Sequence, residues 1–285
     1  MEIKRAVVAG SGTMGLGIAQ VLAMGGYETV LYDIDSSLLH KAEQQIEKNV
    51  RKAVSLGKMT EDAMRQALSL ITYTTQSQML IADFIIEAIP EKIELKQQFF
   101  NEMAQQNSPH TLFATNTSSI PITQIASSIP NPERVVGVHF FNPAHIMKLV
   151  EVIEGAATSP EVTQQCLALL SKLGKKAVVA QDAPGFIVNR VARHYYVESL
   201  KLVEEGVVEL KALDQLLKSS GFKMGPFELM DLIGVDTNYS VTESMFTLFN
   251  FENRFRPSRI QKQKVMAGHH GRKSGKGFYD YKQNP

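Results

Sequence analysis

The 285-residue chain is long enough for one large domain or two ordinary ones. Its 44% hydrophobic and 21% charged residues are typical of a globular protein. Thirty basic against 29 acidic side chains leave a formal charge of +1, which gives no electrostatic case for binding nucleic acid. A single cysteine, Cys166, excludes an intramolecular disulfide, and no apolar run reaches the roughly 18 residues of a membrane span. With an N-terminus that runs straight into a strand pattern, these features lead us to expect a reducing cytoplasm.

Taken in chain order, Ile3–Ala9 reads as a short buried strand, and a glycine-rich turn leads into a helix over Thr13–Met24. Gly25-Gly26 stops that helix before a second strand at Glu28–Tyr32, completing a βαβ unit. Residues 36–69 are polar with apolar residues at helical spacing and a break at "SLGKMTED", which predicts a helical hairpin inserted into the sheet domain. Strands then resume at Ala82–Glu87, Thr111–Thr115, Val135–Val138, Lys148–Ile153 and Ala177–Ala180, with helices at Glu91–Gln105, Ile122–Ser127 and Pro160–Leu173. The alternation predicts an α/β domain with a doubly wound, mostly parallel, Rossmann-type sheet. Past Pro184 no comparable strand pattern occurs; amphipathic stretches at 187–205, 209–220, 226–233, 235–249 and 258–267 predict an all-helical C-terminal domain. We expect domains at 1–184 and 185–285.

Gly10-Ser11-Gly12-Thr13-Met14-Gly15 fits G-x-G-x-x-G in its required setting, between a strand and a helix. Gly10 makes the tight turn, Gly12 lets the backbone approach a pyrophosphate, and Gly15 lets helix and strand pack closely. The helix N-terminus, with Thr13 and Met14 in its first turn, offers N–H groups to the phosphates. Asp33, eighteen residues after Gly15 at the end of the second strand, is placed to accept bonds from ribose hydroxyls. Its charge would repel a 2′-phosphate, so the expected cofactor is NAD rather than NADP.

"KLVEVIEG" poses a separate question. Glu151 sits among Leu149, Val150, Val152 and Ile153, where a carboxylate costs several kcal/mol unless it is paired or neutralised. From the strand alone, an exposed carboxylate on an edge is an equal alternative.

Five segments, "HFFNPAHIMKLVEVIEG", "ATNTSS", "APGFIVNR", "MGPFELMDLIGVD" and "GRKSGKGFYDY", together resemble the 3-hydroxyacyl-CoA dehydrogenase family, in its short 3-hydroxybutyryl-CoA type, over nearly the whole chain. The resemblance implies reversible hydride transfer between NAD and the 3-hydroxyl carbon of an acyl-CoA thioester. It implies His139 as the base and Glu151 as its partner, which would answer the question the strand poses. Imidazole suits the task because its ordinary pKa lies near neutral pH. The resemblance also implies Ser118 as the hydroxyl that bonds the substrate 3-oxygen and Asn189 as the asparagine that completes the site from the second domain. Further cofactor contacts are implied at Glu91, Lys96, Asn116, Asn142 and Lys273. Ser118 is open to a second reading as part of a helix N-cap, with Thr117 or Ser119 doing the capping while Ser118 faces the cleft.

The resemblance implies a homodimer made by the C-terminal helices, and places the basic hairpin residues Lys41, Lys48, Arg51, Lys52 and Lys58 over the CoA tail. His40, His110, His145, His194, His269 and His270 have no comparable setting, and no metal spacing is present. Ser11 stands where the family more often has Ala, and "AHI" at 144–146 where it has "VPV" or "APV", which leaves acyl chain length open. The alternative function is a related dehydrogenase of a non-CoA hydroxy acid, separated by activity on acetoacetyl-CoA against free acids.

Overall fold

The computed structural model describes residues 3–281. They form two compact units that part between Ala183 and Pro184.

The first unit holds eight strands: β1 (Arg5–Ala9), β2 (Glu28–Tyr32), β3 (Ile71–Thr74), β4 (Phe84–Glu87), β5 (Leu112–Thr115), β6 (Val135–Phe140), β7 (Leu149–Glu154) and β8 (Lys176–Gln181). They make one sheet in the order β3-β2-β1-β4-β5-β6-β7-β8. Every neighbouring pair is parallel except β6–β7, which is antiparallel. β4, β5 and β6 are buried at every residue, as parallel strands must be when helices cover both faces of a sheet. The helices are α1 (Thr13–Met24), α2 (Ser36–Ser55), α3 (Glu61–Ser69), α4 (Ile93–Gln106), α5 (Ile122–Ala126) and α6 (Pro160–Lys172). Their apolar stripes complete the core: Ile18 and Leu22 of α1, Leu39 and Ile46 of α2, and Leu169 and Leu170 of α6 pack with Val8, Ile86 and Val138. This is the doubly wound, mostly parallel sheet expected from the alternating pattern. The chain reverses its winding direction between β1 and β4, where such sheets bind ligands beyond the carboxyl ends of their strands.

Local chemistry sets the element ends. Asp35 caps α2 by accepting from Ser37 N at 2.8 Å, Thr60 caps α3 through Ala63 N at 3.2 Å, and Ser159 caps α6 through Val162 N at 3.3 Å. Two expectations need correction. The hairpin of α2 and α3 is the crossover from β2 to a strand the pattern did not predict, β3, which pairs in parallel with β2. Its four residues, ITYT, lie at the sheet edge with only Ile71 and Thr74 buried, so no apolar run announces them. Nor is α5 capped by Thr117 or Ser119. Asp182 does this from the far end of the unit, accepting from Ile122 N at 2.9 Å and Thr123 N at 2.8 Å.

The second unit is helical: α7 (Val188–Glu204), α8 (Leu210–Ser219), α9 (Pro226–Ile233), α10 (Val235–Leu248) and α11 (Arg259–Met266). Tyr196, Leu200, Leu213, Phe227 and Met230 form its centre. Two buried carboxylates bind the aromatic tail: Asp231 accepts from Phe278 N and Tyr279 N, and Asp214 from the Tyr279 hydroxyl. Asp214 also caps α9 through Phe227 N and Glu228 N.

Candidate active site

The glycine turn follows β1 at the carboxyl end of the sheet. Gly10 has a positive φ of 94°, and a Cβ there would lie 2.5 Å from the Ala88 carbonyl oxygen. A Cβ on Gly15 would lie 1.7 Å from the Gly10 carbonyl oxygen, so α1 approaches the turn as only glycine permits. A Cβ on Gly12 would meet nothing within 4 Å, so space opens above that backbone. Gly12 is the N-cap of α1 and supplies no side-chain cap, and the first turn has no acidic residue. The orphan N–H groups of Thr13, Met14 and Gly15 are thus left for an anion at the positive end of the helix. Asp33 stands beside this turn. Its Oδ2 accepts from Ser11 N at 2.8 Å and Ser11 Oγ at 2.7 Å, and its Oδ1 from Asp35 N at 3.1 Å. An open backbone, uncapped amides and a fixed carboxylate fit the pyrophosphate and ribose of NAD.

Three strands along from β1, His139 and Glu151 are cross-strand partners in the antiparallel β6–β7 pair. Directly opposed residues share a face of the sheet, and His139 Nδ1 lies 2.8 Å from Glu151 Oε2. Side-chain exposures are 8% and 1%, so water does not screen the pair. The flanking pairs, Val138–Val152 and Phe140–Val150, point to the other face. The imidazole also packs at a tilt against Phe141, ring centres 4.6 Å apart. Nδ1 is the ring nitrogen committed to the carboxylate.

Ser118 follows β5, the parallel neighbour of β6, and so belongs to the same end of the sheet. Its segment is fixed by Glu91: one carboxylate oxygen accepts from Ser118 N at 3.0 Å, from Ser119 N at 3.3 Å, from Ser119 Oγ at 3.1 Å and from the Thr117 hydroxyl. The other oxygen lies 3.1 Å from Lys96 Nζ. Burial works to raise the Glu91 carboxyl pKa, but the Lys96 charge and the bonds from Thr117, Lys96 and Ser118 outweigh it and hold the pKa below its ordinary value.

Lys96, expected as a direct cofactor contact, is 1% exposed. Its ammonium is spent on Glu87, at 2.9 and 2.8 Å, and on Glu91. It stands behind Glu91 rather than on a surface a ligand can touch. Asn116 Oδ1 accepts from Phe140 N at 2.9 Å, tying β5 to the residue after His139 and aiming its amide N–H groups elsewhere. Asn142 is exposed just beyond β6. Lys175 holds that loop through the carbonyls of Ala144, at 2.6 Å, and Met147, at 2.9 Å.

Asn189 and Lys273 belong to the second unit. Asn189 is in the first turn of α7, half-buried. Lys273 is paired with Asp236 at 2.7 Å in α10. Among the described residues, no three of His, Cys, Asp and Glu are grouped to hold a metal, and no helix is long and apolar enough to cross a membrane. The residue our sequence reading missed is Glu87, 0% exposed at the end of "FIIE". The signal was the one that singles out Glu151, a carboxylate closing an apolar strand.

A glycine turn fit for a dinucleotide and a buried His–Glu pair at the same end of one sheet describe a dehydrogenase. Residues 5–183 match the model of the 3-hydroxyacyl-CoA dehydrogenase NAD-binding domain, and residues 185–281 that of the family's C-terminal domain. The chain belongs to the 3-hydroxyacyl-CoA dehydrogenase family. It is 46% identical over 284 residues to the 3-hydroxyadipyl-CoA dehydrogenase of Escherichia coli K12, covering 99% of this chain but 60% of that relative. A probable 3-hydroxybutyryl-CoA dehydrogenase of Bacillus subtilis is 40% identical, with 99% of both chains covered. The crystal structure of a 3-hydroxybutyryl-CoA dehydrogenase from Escherichia coli K12 superposes with a TM-score of 0.95 at 46% identity, covering 99% of this chain and 60% of that one.

Proposed function

We propose that this protein catalyses the NAD-dependent, reversible oxidation of a short-chain (S)-3-hydroxyacyl-CoA, such as 3-hydroxybutyryl-CoA, to the 3-ketoacyl-CoA. The observation that carries this reading is the 2.8 Å His139–Glu151 contact, buried on adjacent strands of a sheet that begins with an NAD-type turn. NAD, when bound, takes the hydride from the 3-carbon. His139 Nε2 takes the proton of the 3-hydroxyl, and Glu151 holds the ring tautomer and balances the imidazolium as it forms. Ser118, its backbone fixed by Glu91, donates to the 3-oxygen, and the family resemblance adds Asn189 to the catalytic set. The turn from Gly10 to Gly15 and Asp33 hold the adenosine end of the cofactor, and Asn116 and Asn142 lie near its nicotinamide. Lys273 contributes from the tail. The exposed Lys41, Lys48, Lys52 and Lys58 of the α2–α3 hairpin receive the CoA phosphates; Arg51 is paired with Glu47.

The same reading makes the protein a homodimer through the second unit. Val191, Leu216, Phe251 and Met266 are 68%, 60%, 64% and 79% exposed there, and a partner subunit would cover such side chains. Light scattering on the full chain at micromolar concentration checks this, a monomer counting against it.

The deciding assay is NADH oxidation with acetoacetyl-CoA beside free acetoacetate. Turnover of the thioester, with kcat/KM for NADPH at least about 100-fold below that for NADH because Asp33 repels a 2′-phosphate, is the expected outcome. Turnover of free acids alone points instead to a relative that acts on non-CoA hydroxy acids.

A further inference from the structure

Residues 115–119 read TNTSS, so four hydroxyls follow one another at the carboxyl end of β5. Thr115, Thr117 and Ser119 are buried, and Ser118 is only half-buried. The three buried hydroxyls are all committed to carboxylates. Thr115 donates to Glu87, and Thr117 and Ser119 donate to the same oxygen of Glu91. The Ser118 hydroxyl makes no hydrogen bond among the described residues; only its backbone N–H is held, by Glu91 at 3.0 Å. A free hydroxyl is thus carried between two fixed ones.

Thr117 closes this turn. Its hydroxyl has one proton and two lone pairs. The proton goes to Glu91, and the oxygen accepts from Ile120 N at 3.0 Å and Ser119 N at 3.3 Å. Its own N–H donates to Thr115 Oγ1 at 3.2 Å. One side chain, 1% exposed, therefore ties together the residues on both sides of Ser118. The carboxylates are anchored in turn. Lys96 Nζ lies 2.9 and 2.8 Å from the two oxygens of Glu87 and 3.1 Å from the second oxygen of Glu91. A single buried ammonium fixes both carboxylates and, through them, the hydroxyls of Thr115 and Thr117. The following helix has no use for Thr117 as its cap, since Asp182 caps α5.

We propose that Thr117 is a positioning residue that sets the Ser118 hydroxyl toward the substrate 3-oxygen, with Glu91 and Lys96 as the fixed charges that hold Thr117 in place. This rests on the reading that Ser118 donates to that oxygen. During reduction of a 3-ketoacyl group the oxygen gains negative charge, so a donor aimed at it counts most in the transition state. Such a donor contributes fully only if it is in place beforehand, and a displacement of about 1 Å can cost about 10²-fold in rate. Being buried, Thr117 offers no surface to substrate or cofactor. Its effect belongs in kcat rather than in binding.

The test is a double-variant cycle of Thr117→Val and Ser118→Ala in the full-length protein, read by NADH-dependent reduction of acetoacetyl-CoA. Valine keeps the branched shape and removes the hydroxyl. Ser118→Ala should lower kcat by about 10- to 100-fold, the weight of a bond to a charged group. Thr117→Val should lower kcat by about 10-fold, with KM for the thioester and the dissociation constant for NADH each changed by no more than about twofold. Thr117→Ser, which keeps the hydroxyl, should restore kcat. The double variant should be hardly worse than Ser118→Ala alone, because Thr117 acts through Ser118. Losses that multiply, or a lower melting temperature with kcat unchanged, would make Thr117 a structural residue and overturn the proposal. A loss confined to NADH affinity would overturn it too, since Thr117 would then serve the cofactor through Glu91. If Thr117→Val fails to fold, Glu91→Gln at saturating NADH replaces it in the same cycle, with the same expected and overturning results. Full activity in Ser118→Ala, or no turnover of acetoacetyl-CoA by the wild type, would sink the parent reading and this one with it.

Discussion

Two carboxylates lie in apolar strands of the same sheet, and they have opposite kinds of partner. Glu151 on β7 meets an imidazole across the β6–β7 pair. Glu87, at the end of β4, meets the ammonium of Lys96 through both oxygens, accepts from Ile89 N at 3.2 Å and takes a short bond from Thr115. Both are buried at about 1% exposure or less, so both bear a similar desolvation cost. An ammonium keeps its proton through the neutral range, so Glu87–Lys96 is a fixed strut. An imidazole gives and takes one, so Glu151–His139 can do chemistry. Burial of a charge is therefore no guide to function by itself; the chemistry of its partner is.

The largest expected effects come from the His–Glu pair. His139→Gln should lower kcat/KM for acetoacetyl-CoA by about 10²–10⁴-fold, the usual contribution of general acid–base catalysis. Glu151→Gln should lower it less, and the double variant should be hardly worse than His139→Gln alone, because the two act as one unit. Full activity in Glu151→Gln, or losses that multiply, would erase the distinction drawn between the two carboxylates.

Lys96→Met addresses the strut. It leaves Glu87 buried and uncompensated, which should cost about 3–5 kcal/mol in urea unfolding. Lys96→Met with Glu87→Gln should recover most of that loss, as an amide keeps hydrogen bonds without a charge. An unshifted unfolding midpoint in Lys96→Met would show that the strut carries no stability.

The sheet was legible because each central strand is a short apolar run and the covering helices carry apolar stripes at helical spacing, as α2 does at Leu39, Ala42, Ile46 and Val50. β3 was not, because a four-residue edge strand with only its two end residues buried has no such signature. In the site, the glycine turn reads from spacing alone. The His139–Glu151 pair does not: twelve residues apart, the two meet only because β6 and β7 happen to be antiparallel with that register, and family resemblance supplied what spacing could not. The burial of Lys96 was hidden for the same reason. A lysine on a helix after "EAIPEK" looks solvated, and only the fold reveals that its ammonium reaches the carboxyl end of the central strand β4, between Glu87 and Glu91.

Glu91 sharpens the comparison through pH. Its folded carboxyl pKa is lowered, so its stabilising contribution is present above the ordinary value near 4.5 and is lost as pH falls through the folded value. Glu87 has the opposite sign. Its carboxyl is raised, by burial against the pull of Lys96, so that group favours folding at low pH and the benefit fades as pH rises through the folded value. The stability difference between wild type and Glu91→Gln should be about 1 kcal/mol at pH 7, modest because the side chain is 37% exposed. It should shrink below pH 4.5. A difference that grows on acidification would contradict the assigned direction.

The smallest expected effect is at the other end of the site, where the carboxylate is neither strut nor proton partner but a fixed acceptor. Asp33 Oδ2 receives two bonds from one residue, Ser11: the backbone N–H at 2.8 Å and the hydroxyl at 2.7 Å. Ser11 is 3% exposed, so its hydroxyl has little recourse to water and is well ordered on the carboxylate. Ser11→Ala keeps the backbone bond and removes the hydroxyl, leaving the carboxylate freer to rotate about its last torsion. A hydrogen bond of this kind contributes about 1 kcal/mol, which corresponds to about a fivefold rise in the dissociation constant for NADH. Titration of NADH fluorescence measures this without turnover. An unchanged constant would mean that the backbone bond alone fixes Asp33. A lower one would mean that the hydroxyl competes with the ribose for Oδ2, and Ser11 would then be a brake on cofactor affinity rather than a support.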